Sequence, residues 1–130
     1  MLKYFTNEEL QCPLTKEIKL AEGFGEKLDE LREGLDAPMQ LTSGCRTSAH
    51  VSWLLDRGYP ASENSFHLID NSKYGTDTCA VDVAIPDSVY RLNLTQLALE
   101  KGWTVGVAKT FLHLDLRADY TDLPQLIYVY

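Results

Sequence analysis

The chain has 130 residues, 45% hydrophobic and 24% charged, the profile of one soluble globular domain spanning 1–130 with a single core. No apolar run approaches the roughly 20 residues of a membrane span, and the opening Met1 to Glu9 has no apolar signal core, so neither membrane insertion nor a leader is expected. A net charge of -7 with scattered Lys and Arg argues against nucleic acid, which needs clustered cations, and requires that any anionic substrate be held locally.

Phe5 to Leu10 predicts a short helix capped by Thr6, with Glu9 three residues on. Ile18, Leu20, Phe24, Leu28, Leu31 and Leu35 recur at helical steps and predict a helix over 16–34, weakened by Gly23 and Gly25 and stopped at Gly34. Met39 to Thr42 reads as a short strand, followed by a Ser43-Gly44 turn. Thr47 or Ser48 caps a helix running to about Arg57, with Val51, Leu54 and Leu55 facing inward. Residues 61–79 are polar and irregular, a long loop of the kind that carries function or moves.

Cys79 to Ile85 predicts a strand with one acid, Asp82, in an apolar run. Pro86-Asp87 opens a helix that ends at Gly102. Trp103 to Val107 and Phe111 to Leu116 read as a hairpin, and 121–130 as a short helical or extended tail. The sum is an α+β domain with a central antiparallel sheet and flanking helices.

His113 and Asp115 are two residues apart in a strand-like run, so both side chains point to one face. A buried strand carries two titratable groups only when they have partners. Hydrolytic zinc sites use three His, Asp or Glu ligands and leave one position open; His67, Asp82 and His113 supply such a set. Asp70 and Asp77, in the loop after His67, compete for a ligand place, but Asp82 is favoured because its strand fixes its direction. His50 is expected to face solvent or packing. Cys12, Cys45 and Cys79 are odd in number, widely spaced and without a CxxC pair, which predicts small buried thiols rather than a cysteine zinc site.

Ser65-Phe66-His67, Gly75, Ala80-Val81-Asp82 and Phe111-Leu112-His113-Leu114-Asp115 occur in the order of the SxH, GxAxD and HxD pattern of the M15 zinc peptidases, which the chain resembles. Thr42 to His50 is similar to that family's SGYRS segment, and Tyr4 to Pro13 to its N-terminus. The family contains D-Ala-D-Ala carboxypeptidases, peptidoglycan endopeptidases and phage endolysins on a hedgehog-like α+β fold. The resemblance implies Zn²⁺ on His67, Asp82 and His113, with Arg46 binding a substrate carboxylate or carbonyl. A planar guanidinium suits that task. The chain departs from the pattern by extra residues around Asp70 to Asp77 and by Thr110 where many relatives place the general base. Asp115 is the substitute base, or alternatively a partner that orients a ligand.

The resemblance leads to the expectation of a zinc metallopeptidase, a monomer, that cleaves the peptide stem of peptidoglycan. Without a leader it would be made in the cytoplasm and reach the wall through a separate membrane-permeabilising protein, as a phage endolysin does. A non-catalytic metal-binding module on the same scaffold is the alternative, favoured by Thr110. A metal-free structural protein would carry no stoichiometric zinc.

Overall fold

The computed structural model describes residues 2–130. Its elements are α1 (Asn7–Leu10), α2 (Phe24–Leu35), β1 (Leu41–Ser43), α3 (Ser48–Asp56), β2 (Ala80–Ala84), α4 (Ser88–Glu100), β3 (Thr104–Val107), β4 (Phe111–Asp115), α5 (Arg117–Tyr120) and β5 (Ile127–Val129). The strands form one sheet in the order β1-β2-β4-β3-β5. Three pairings are antiparallel. The fourth, β3 with β5, is parallel, so the sheet is mixed rather than wholly antiparallel. Among the described residues no helix is long and apolar enough to cross a membrane.

Strand alternation divides the sheet into two faces. Val81, Val83, Leu112, Leu114 and Val105 project to one side and pack with Phe24, Leu28 and Leu31 of α2 and Leu94 and Ala98 of α4. All ten are fully buried, and this layer is the core. The opposite face carries the intervening residues. Register puts Asp82 opposite His113, His113 opposite Gly106, and Gly106 opposite Tyr128. Four strands thus contribute one transverse row of side chains to the face that the two long helices leave uncovered.

Several boundaries follow from capping. Thr6 and Glu9 form the reciprocal capping box of α1. Thr47 caps α3 by accepting from the His50 amide, and Asp87 caps α4 by accepting from the Tyr90 amide. The helix expected over 16–34 begins only at Phe24. Lys16 and Gly23 both have positive φ (64° and 81°), which breaks the helix, and Leu20 instead bridges to Thr78. Gly25 leaves room for the Leu2 side chain, whose terminal methyl would lie 2.7 Å from a Cβ there. Gly34 is not the stop, because the chain turns at Asp36 in left-handed conformation. On α3, Val51 is buried but Leu55 is 41% exposed, so its apolar face is narrower than the sequence suggests.

Candidate metal centre and cleft

Asp82 and His113 are side by side on adjacent strands. His67 reaches them from the loop that crosses the uncovered face. That loop is irregular yet firmly tied. The Arg46 amide donates to the His67 carbonyl (2.7 Å), the Thr78 hydroxyl donates to the same carbonyl (2.8 Å), and the Cys79 amide donates to Phe66 (3.0 Å). The extra residues around Asp70 to Asp77 fold into a turn organised by buried Asn71. Its amide donates to the carbonyls of Asn64 and Ser65, and its backbone pairs with Thr76. Asp70 is exposed, and Asp77 turns away to Lys19 at 3.6 Å. Neither competes with Asp82.

His67, Asp82 and His113 are all buried, and their ligand-type atoms lie within 4.8 Å of one another. His67 Nε2 and His113 Nδ1 each stand 3.1 Å from the same oxygen, Asp82 Oδ1. The other nitrogen of each ring is already committed. His67 Nδ1 lies 2.7 Å from the Gly44 carbonyl, which can only accept, so Nδ1 carries the proton. His113 Nε2 lies 2.7 Å from Asp115 Oδ2 and donates to that carboxylate. In their neutral forms the rings therefore aim two bare nitrogen lone pairs and a carboxylate oxygen at one point. Three lone pairs so placed repel one another unless protons or a cation lie between them. Tetrahedral ligands about 2.0–2.1 Å from a metal are about 3.3 Å apart, close to the 3.1 Å found here. The cluster can hold a metal ion.

The electrostatics favour a positive charge at this point, either a proton on His113 or a cation. Burial lowers the His67 pKa, outweighing the opposing pull of Asp82, and so favours the neutral ring. Burial opposes ionisation of Asp82, but a proton held between it and the facing nitrogens of His113 and His67 keeps its carboxyl well below the usual range. Burial would also lower His113, but Asp115 and Asp82 prevail and raise it. The acidic surroundings thus concentrate negative charge where a cation would sit.

Asp115 lies behind His113, away from the cleft. It is fully buried and accepts from Arg117 at its backbone amide (2.9 Å), Nε (3.0 Å) and Nη2 (2.7 Å). Of the two roles the sequence left open, this position matches the partner that orients a ligand. A general base must reach a proton in the cleft, and Asp115 is not part of the cleft lining. Thr110 is exposed at the end of the β3–β4 turn. His50 packs against Trp53 (6.2 Å between ring centroids), with burial and then Arg46 lowering its pKa. It is outside the cleft lining.

A cleft of about 710 Å³ opens over His67, Asp82 and His113. Arg46 and Arg117 reach it, and among the described residues Asp82 is the single carboxylate in its lining, although the chain as a whole is acidic. Arg46 Nη2 is 3.6 Å from Asp82 Oδ2, which leaves most of its fork uncommitted. The Gly44 carbonyl, Arg117 and Tyr128 were not singled out from the sequence. Arg117, two residues beyond Asp115, was the one with a local signal. The three thiols are free and buried, as expected.

No family model, curated protein or solved structure matches this chain.

Proposed function

We propose that the chain is a zinc-dependent peptidase of the M15 type, on a hedgehog-like scaffold, that hydrolyses the peptide moiety of bacterial peptidoglycan as a phage endolysin does. The observation that carries this reading is the convergence of two tautomer-fixed histidines and one carboxylate on a point at the floor of an open cleft. Two imidazoles and one carboxylate are the borderline donor set that suits zinc better than calcium or magnesium. Zinc bound there would supply Lewis acidity toward the scissile carbonyl and a lowered pKa for attacking water.

The remaining work falls to residues of the chain. Gly44 and Asp115 hold the two rings with their free nitrogens facing the cleft. Arg117 keeps Asp115 ionised and fixed. Arg46 offers a planar fork to a substrate carboxylate. Arg117 is neutralised by Asp115, so Arg46 is the cation left to meet the free carboxylates of a peptide stem.

A second reading, a metal-binding module without catalysis, is favoured by one observation. Among the described residues, no carboxylate other than Asp82 lines the cleft. Digestion of purified peptidoglycan followed by mass analysis separates the two. New peptide termini that appear with zinc and vanish with chelator support the peptidase. One equivalent of zinc with intact peptidoglycan supports the module, and absence of stoichiometric zinc defeats both.

A further inference from the structure

The cleft lacks a second acid but has phenols. Tyr128 lies in the same transverse row as Asp82 and His113, one strand beyond Gly106. A Cβ on Gly106 would sit 2.6 Å from Tyr128 Cζ, 2.7 Å from its hydroxyl oxygen and 2.8 Å from Cε2. The ring therefore lies in a slot that only glycine leaves open. Across that slot its centroid is 6.1 Å from the His113 ring, and Tyr130 packs against it at 5.6 Å. Arg117 lies 5.8 Å from the same ring. The side chain is thus held from several sides.

Its hydroxyl oxygen faces Arg117 and Tyr130, each of which can donate to it, while its own O–H reaches no acceptor among the described residues. Tyr90 and Tyr120 donate to the carbonyls of Pro38 (2.7 Å) and Glu22 (2.6 Å), which are structural bonds. Tyr128 has no such bond among the described residues, and it lines the cleft. Arg117 is already spent on Asp115, and Arg46 is the group suited to a carboxylate. Tyr130 is 66% exposed and rests on Phe111 at the rim. Tyr74 also lines the cleft but stacks on Phe66 (5.1 Å), so Tyr128 is the phenol packed beside the ligand cluster.

We propose that Tyr128 is a further catalytic residue, whose phenol O–H, seated beside His113 by Gly106, donates a hydrogen bond to the oxygen that gains negative charge as the scissile carbonyl becomes tetrahedral. The proton stays on the phenol, so the contribution is electrostatic. The inference rests on the peptidase reading and adds to it the group that faces the developing charge.

The test uses zinc-loaded protein and a probe that needs no turnover. Phosphinic analogues of D-Ala-D-Ala and of L-Ala-D-Glu place charged oxygens where the tetrahedral oxygens would lie. Calorimetric titration should show Tyr128→Phe binding the better analogue roughly 10²-fold more weakly, the scale of one oxyanion donor, with zinc content unchanged. In cleavage assays the same variant should lose roughly 10²–10³ in kcat, with KM altered by no more than about threefold. Gly106→Ala, which forces the ring from its slot, should reproduce the loss with the phenol still present. Equal phosphinate affinity in wild type and Tyr128→Phe overturns the proposal. Tight binding that depends on Tyr128, in a protein that cleaves no peptidoglycan peptide, supports the hydrogen bond and overturns the peptidase reading. A zinc-loaded wild type that binds neither phosphinate overturns both.

Discussion

Asp115→Asn separates an orienting carboxylate from a proton-accepting one. Asn keeps the shape but offers one oxygen and one NH₂ group. If the oxygen faces Arg117, the NH₂ faces His113 Nε2 and forces that nitrogen to accept. The ring proton then moves to Nδ1, the atom 3.1 Å from Asp82 Oδ1, and blocks the lone pair a metal needs. If the oxygen faces His113, the NH₂ takes the place of Oδ1 and confronts the Arg117 backbone amide and Nε across 2.9 and 3.0 Å. Removing one partner of a buried ion pair costs about 3–5 kcal/mol; the Arg117 side chain is 16% exposed, which points to about 3 kcal/mol. With an m-value of about 2 kcal/mol/M in urea, the metal-free midpoint should fall by roughly 1.5 M. Zinc affinity, read by competition with a chromophoric chelator, should fall about 10- to 100-fold, and added zinc should restore turnover. Unchanged zinc affinity together with lost activity that zinc cannot rescue would refute the orienting role and return Asp115 to the position of base.

Substituting Ala for His67, Asp82 or His113 should each abolish the single equivalent of zinc measured by mass spectrometry of the purified protein. Full zinc content in Asp82→Ala would mean that another acid replaces it. Arg46→Lys should keep zinc and fold but lower kcat/KM by about 10-fold or more, because the ammonium loses the planar fork; full activity would reduce Arg46 to a partner of Asp82. Burial raises Cys45 and drives Cys79 up to about 12, whereas at Cys12 burial is outweighed by hydrogen bonds with Thr15 and Thr47, which lower the thiol, so a thiol reagent at pH 8 should find at most one slowly reacting cysteine, Cys12, in the folded chain and three after unfolding. Rapid modification of the native protein would contradict the buried placement.

Much of the site was legible because it obeys a period of two. The spacing of His113 and Asp115, and one acid in the apolar run from Cys79 to Ile85, locate a polar face without any tertiary information. Caps at Thr6, Thr47 and Asp87 were equally local. What escaped depends on contacts between distant residues. Ile18 and Leu20 have helical spacing, yet pairing of Leu20 with Thr78 and left-handed geometry at Lys16 and Gly23 override it. The parallel return of β5 beside β3 has no signature in the last ten residues, so the meeting of Tyr128 and Gly106 could not be read. The split of Asp115 from the cleft was also hidden, since a shared strand face tells nothing of which side of an imidazole the carboxylate occupies.

Gly44 links two regions that the chain order keeps apart. A Cβ at this position would meet the Leu10 carbonyl oxygen at 2.7 Å and the Leu10 Cα at 3.0 Å, and the Cys45 amide donates to that same carbonyl at 2.8 Å. The first helix is therefore docked on the residue whose own carbonyl sets the proton position of His67. Undocking of the N-terminal arm would release the Gly44 backbone and let the His67 ring turn. If the cluster holds an ion, its loading and the seating of the arm would then be coupled, and fraying at the N-terminal arm would be felt as weaker retention of that ion. The exchange rate of the Cys45 amide reports this coupling without any probe in the cleft.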